Sequence, residues 1–110
     1  MSTISTHVLD TALGRPASGV RVTLERASDN AVVGNGTTDA DGRLRDLVSS
    51  NAPLGPGVYR LRFDVAAYFD LKHRAAFYPE VVIVFRVSES EHYHVPLLLS
   101  PFGYSTYRGS

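Results

Sequence analysis

Turn-forming clusters break this chain at short intervals, and between them apolar residues recur with a period of two. That combination leaves room for short strands and little for long helices. It predicts an all-β fold, a sandwich of seven or eight strands. Residues 20–26 show the pattern most cleanly, with Val20, Val22 and Leu24 on one face and Arg21, Thr23 and Glu25 on the other. Residues 4–9 form a first strand, with Ile4, Thr6 and Val8 opposite Ser5, His7 and Leu9. Residues 31–38 make a weaker strand, interrupted by Gly34 and Gly36, and residues 43–45 a short extended piece after the Asp41-Gly42 turn. Residues 51–57 read as a long loop. Residues 58–65 then place Tyr59, Leu61, Phe63 and Val65 inward. The period of two is lost over residues 66–74, which allow one short helix. Residues 81–87 are apolar on both faces except at Arg86, which predicts a buried or interface-covered strand. After a turn at residues 88–91, residues 92–99 read as one strand with Tyr93, Val95, Leu97 and Leu99 toward the core. A tight hairpin at residues 100–103 returns residues 104–108 antiparallel.

At 110 residues the chain suits a single domain, residues 1–110. A domain of this size buries somewhat over roughly 60% of its unfolded surface, enough for one core without staples. No cysteine is present, so disulfides and thiolate zinc sites are excluded, and a reducing compartment fits. Eleven Lys and Arg balance eleven Asp and Glu, so no concentrated positive field exists for nucleic acid. No apolar run approaches the ~18 residues of a membrane helix. The first residues lack the charged and apolar regions of a secretory signal. The expectation is a cytoplasmic protein with no membrane or nucleic-acid partner.

Three histidines stand on faces opposite the core positions: His7 beside Val8, and His92 and His94 beside Tyr93 and Val95. Imidazole titrates near neutral pH, so it can both take and give a proton. Arg43 adds a permanent cation whose planar donor fork suits a urea or imide carbonyl, or a developing oxyanion. Each feature also has a plainer reading. A surface histidine is commonly just solvated, a His-x-His pair with His7 as third ligand could chelate a metal, and Arg43 could be a solvated charge beside a turn. Taken separately, they leave the function undetermined.

The far end of the chain narrows the choice. His92-Tyr93-His94-Val95-Pro96, followed by Ser100-Pro101-Phe102-Gly103-Tyr104-Ser105-Thr106 and the tail Tyr107-Arg108-Gly109-Ser110, closely resembles the C-terminal hallmark of the 5-hydroxyisourate hydrolases. Thr6-His7-Val8-Leu9-Asp10 resembles that family's start. Gly14-Arg15-Pro16-Ala17 and Thr38-Asp39-Ala40-Asp41-Gly42-Arg43 resemble its middle. The resemblance runs from end to end, with four motifs in order. It implies a transthyretin-like fold assembled as a homotetramer, with active sites at the dimer–dimer interface. Carried over by motif, His7, Arg43, His94 and Ser110 would be catalytic, with Tyr107, Arg108 and His92 shaping the substrate pocket. The implied reaction is hydrolysis of the N1–C6 amide of 5-hydroxyisourate, with no metal or organic cofactor. One histidine would act on water and the other would aid proton return. The rivals are a transthyretin-like carrier of an apolar small molecule, an adhesive prealbumin-like module and a histidine metal site.

Overall fold

The computed structural model describes residues 2–48, 54–88 and 90–109. The cleanly alternating segment becomes β3 (Arg21–Arg26), paired antiparallel with β4 (Val32–Thr37) on one side and β6 (Gly57–Asp64) on the other. β7 (Glu80–Val87) completes a four-stranded sheet in the order β4-β3-β6-β7. The turn between β3 and β4 is tied locally. Arg26 donates twice to Asp29, and Asp29 accepts from the Ala31 N–H. Asn30 takes the positive φ of 61°, which asparagine tolerates better than most side chains. Gly34 and Gly36 were expected to interrupt β4, but the ladder to β3 runs through both. Its one irregularity is a register shift at Leu24 and Glu25.

The second sheet is organised around β1 (Thr3–Asp10). On one side β1 meets the two-residue strands β2 (Arg15–Pro16) and β5 (Arg43–Leu44), both antiparallel. On the other it runs parallel to β8 (His92–His94) and then β9 (Leu97–Ser100). β10 (Gly103–Thr106) turns back on β9 through the hairpin at residues 100–103. Residues 92–99 are therefore two strands and not one. The break falls at Val95 and Pro96, because proline has no N–H to give the ladder. The backbone groups there find other partners: the Val95 N–H donates to the Ser5 carbonyl at 3.0 Å, and the Pro96 carbonyl accepts from the Thr106 hydroxyl at 2.6 Å. Together with β2 and β5, this split raises the strand count to ten among the described residues.

The inner faces of the sheets meet as the alternation requires. Ile4, Val8, Leu97 and Leu99 pack against Val22, Leu24, Leu61 and Phe63, all essentially without solvent contact. Each such side chain contributes about 1.5–3 kcal/mol by leaving water. The expected helix is α1 (Val65–Leu71), started by the Asp64 carboxylate accepting from the Ala67 N–H. Phe69 closes the core, while the Tyr68 hydroxyl donates to the fully buried Asp10 of β1 at 2.9 Å. Arg74 also donates to both Asp10 oxygens, at 2.6 and 3.4 Å. In β7, expected to be buried or interface-covered, Val81, Ile83 and Val87 are buried, while on the opposite face Val84 is 62% exposed among the described residues. No helix among the described residues is long and apolar enough to cross a membrane. Of the sequence-based expectations, Ser110, residues 51–53 of the long loop and Glu89 of the following turn lie outside the described residues.

Candidate active site

The strand pairing brings the sequence's odd residues to one face. Residues paired across a ladder point to the same side of a sheet. Thr3 is paired with His92, Ser5 with His94, and His7 with Arg43. Because β1 alternates, Thr3, Ser5 and His7 all point away from Ile4, Thr6 and Val8 in the core. The outer face of β1 thus carries hydroxyls and an imidazole, flanked by two imidazoles on β8 and a guanidinium on β5. A cavity of about 370 Å³ opens there, lined by Ser5, Thr6, Arg43, Arg45, His92 and His94.

Arg43 is aimed by the Asp39–Gly42 turn. The Asp39 carboxylate accepts from the backbone N–H groups of Asp41 and Arg43, and the Asp39 N–H donates to the Arg43 carbonyl. Gly42 has φ of 75°, and a Cβ there would stand 2.4 Å from the Val8 carbonyl oxygen, so only glycine closes this turn against β1. The Gly42 carbonyl in turn accepts from the Val8 N–H at 2.7 Å. Arg43 makes no ion pair among the described residues, which leaves its donor fork for a ligand.

The imidazoles have defined partners. Nε2 of His7 lies 2.8 Å from the Asp41 carbonyl oxygen. A carbonyl only accepts, so the neutral ring carries its proton on Nε2 and its lone pair on Nδ1. Nδ1 of His94 bonds to the Ser5 hydroxyl at 2.7 Å, leaving Nε2 without a protein partner among the described residues. His92 bonds to Ser5 through Nε2 at 2.8 Å and to Thr3 through Nδ1 at 2.6 Å. Partial burial pushes the His94 imidazole below its ordinary pKa, and nearby His7, His92 and Arg43 push it the same way. His94 is therefore neutral, and able to accept a proton, at neutral pH.

The end of the chain folds back onto this ring. The Gly109 N–H donates to the His94 carbonyl at 2.8 Å, forming an isolated antiparallel bridge. A Cβ on Gly109 would lie 2.5 Å from Cδ2 of His94, so the tail backbone rests directly against the imidazole. Arg108 stacks over the Tyr93 ring at 4.7 Å and pairs with Glu91 at 2.5 Å.

Of the residues singled out from sequence, His7, Arg43, His92 and His94 are therefore brought together. Tyr107 and Arg108 are not in the same cavity. They line a separate groove of about 300 Å³ with Val84 and Phe85 of β7. Ser110 lies outside the described residues. Ser5, Thr6 and Arg45 were missed. Ser5 was within reach of sequence reasoning, since it shares a strand face with His7. Among the described residues no three histidine or carboxylate groups gather as metal ligands do.

The sequence model of the HIUase/Transthyretin family matches residues 4–109. The chain belongs to the HIUase/transthyretin family. Its relatives in that family include a 5-hydroxyisourate hydrolase of Salmonella typhimurium, 48% identical over 97% of this chain and 80% of the relative. The solved 5-hydroxyisourate hydrolase of Klebsiella pneumoniae superposes with a TM-score of 0.88 at 40% identity, covering all of this chain and 94% of that one. Sea bream transthyretin, solved in complex with thyroxine, superposes with a TM-score of 0.87 at 31% identity, covering 96% of this chain and 93% of that one. The HIUase/transthyretin fold is thus shared by a hydrolase and a thyroxine-binding protein, and the choice between them rests on the site.

Proposed function

We propose that this protein hydrolyses 5-hydroxyisourate, opening its six-membered ring at the N1–C6 amide. The observation that carries the reading is the gathering of His94, His92 and Arg43 around one polar cavity, with His7 on the same sheet face. The likeness to 5-hydroxyisourate hydrolases along nearly the whole chain supports it.

Ring opening needs four things: a water stripped of a proton, a stabilised oxyanion, a proton for the departing nitrogen, and a substrate held still. Neutral His94 takes the proton from water through Nε2 as the oxygen adds to C6. Arg43 donates to the carbonyl oxygen as it gains charge. The C6–N1 bond then breaks, N1 receives a proton from an imidazolium, and C6 leaves as a carboxylic acid that ionises. His7 is the second proton carrier, with its free lone pair on Nδ1. Ser110 follows Gly109, which packs on His94, and we assign its hydroxyl to the substrate or the water. No metal or organic cofactor enters this scheme.

We further propose a homotetramer with the sites between dimers. The support is the exposed Val84 of β7 and the exposed Tyr107 that lines the same groove, which a neighbouring subunit would cover. Tyr107 and Arg108 would then bound the pocket through the assembly. A reducing compartment, with the cytoplasm as the default, suits a chain without cysteine.

The carrier reading has the sea bream transthyretin likeness behind it. Two imidazoles and two guanidinium groups, however, are a poor lining for an apolar ligand and a good one for a purine-derived ring rich in carbonyls. The deciding experiment follows the ultraviolet absorbance of freshly made 5-hydroxyisourate with and without the protein. Accelerated decay supports hydrolysis. Saturable binding with decay at the uncatalysed rate would favour the carrier.

A further inference from the structure

We infer that Ser5 is a positioning residue whose hydroxyl locks the tautomers of His92 and His94 together, and so ties the form of His94 that faces the cavity to the form of His92. The inference rests on the hydrolase reading for its functional meaning, but its geometry stands alone.

Ser5 Oγ lies between two imidazole nitrogens, 2.8 Å from Nε2 of His92 and 2.7 Å from Nδ1 of His94. A hydroxyl has one proton, so it donates to one ring and must accept from the other. Two consistent arrangements follow. In the first, Nδ1–H of His94 donates to Ser5, Ser5 donates to Nε2 of His92, and Nδ1–H of His92 donates to the Thr3 hydroxyl, 2.6 Å away. His94 then turns a bare Nε2 lone pair to the cavity and is a base. In the second, every bond reverses. Thr3 donates to Nδ1 of His92, Nε2–H of His92 donates to Ser5, and Ser5 donates to Nδ1 of His94. His94 then turns an Nε2–H to the cavity and is a donor.

In both arrangements the two neutral rings carry the same tautomer, and they change it together. If both rings donated to Ser5, the hydroxyl proton would be stranded. Ser5 is only 7% exposed and has no other acceptor among the described residues. If both rings accepted, the hydroxyl would need two protons.

The coupling has a chemical consequence. When Nε2 of His94 takes a proton from water, its Nδ1 proton can pass to Ser5 as the Ser5 proton passes to Nε2 of His92. His94 is left neutral with its proton on Nε2, and the positive charge rests on His92, whose side chain is more open to solvent. The charge thereby moves away from Arg43, and His94 is left with the N–H that a departing nitrogen requires. The reverse shift restores the starting state.

The test is nitrogen NMR on protein labelled at histidine, without substrate, above the imidazole titration range. The expected result is one shared tautomer for His92 and His94. Rings in opposite tautomers overturn the inference, with no variant needed. Ser5→Ala should uncouple them, so that each ring takes its own tautomer mixture. It should lower kcat at least about tenfold while KM changes little, and it should move the acid limb of the pH–rate profile. Ser5→Thr, which keeps the hydroxyl, should restore both tautomers and much of the rate. Unchanged tautomers and an unchanged pH profile in Ser5→Ala would reduce Ser5 to a packing residue. The spectra fail only if the coupling is wrong. Absence of turnover by the unaltered protein bears on the hydrolase reading instead.

Discussion

At the scale of single residues, the proposed hydrolysis depends on keeping an imidazole neutral. Burial, together with the nearby His7, His92 and Arg43 side chains, lowers the His94 pKa below the ordinary value near 6.5. If His94 is the base, kcat/KM should hold steady as pH falls through 6.5 and drop only below it. A limb at or above 6.5 would point to a different group. The same shift acts on stability. Between the folded pKa and 6.5 the unfolded chain binds the proton that the folded chain refuses, so the fold loses stability as pH drops across that window and has all of it above. His94→Ala should cost ~10²–10⁴-fold in kcat while thermal unfolding remains cooperative. Full activity in that variant would remove His94 from the mechanism. His7, Arg43 and His94 were legible in sequence because alternation set them on non-core faces and the family motifs named them. Ser5 was not singled out, because a serine in a strand carries no titratable signal. Its significance depends on two rings 87 and 89 residues away.

At the scale of elements, two attachments carry distinct risks. The tail lies against His94 through a glycine that has no room for a methyl group. Gly109→Ala should therefore displace the tail or the ring and lower turnover about tenfold or more, with the melting temperature nearly unchanged. Equal activity would mean that the tail's exact seat is irrelevant to the chemistry. The helix is held differently. Burial alone would raise the Asp10 carboxyl, but Arg74, Tyr68 and the Leu13 N–H outweigh it and hold the carboxyl below its usual range. That contribution is present above the ordinary carboxylate pKa and is lost as pH falls through the lowered one. Arg74→Ala leaves a buried carboxylate without its cation and should cost about 3 kcal/mol at neutral pH, read by denaturant unfolding. A loss under about 0.5 kcal/mol would show that the pair merely breaks even. The strands around Val22, Leu61 and Leu97 were readable because period-two burial is a local pattern. The break at Pro96 was not taken from the sequence, because the unbroken core alternation of Tyr93, Val95, Leu97 and Leu99 masked the missing N–H.

At the scale of the whole molecule, β7 and the tail leave a mostly apolar groove on the outside, lined among others by the exposed Val84 and Tyr107. The sequence showed that both faces of β7 are apolar except at Arg86, but it could not show that Val84 stays exposed among the described residues. Val84→Glu should leave the fold intact, since that side chain touches little, yet weaken assembly by about 2 kcal/mol or more by placing an unpaired carboxylate in the contact. Analytical ultracentrifugation should find a tetramer for the unaltered protein and smaller species for the variant. A wild-type monomer at micromolar concentration would overturn the assembly reading. The course of β1 carries one more consequence. Its parallel neighbours β8 and β9 arrive almost a full chain length later, so the sheet that bears the histidines is stitched from contacts of very high sequence separation. Such topologies pay loop-closure entropy before they gain any pairing energy, which makes them slow to reach their final form. The four-stranded sheet, built mostly from nearer neighbours, can form early, while the face that bears the histidines is knitted last. A newly made molecule would thus pass through a compact, inactive stage before it acquires its chemistry.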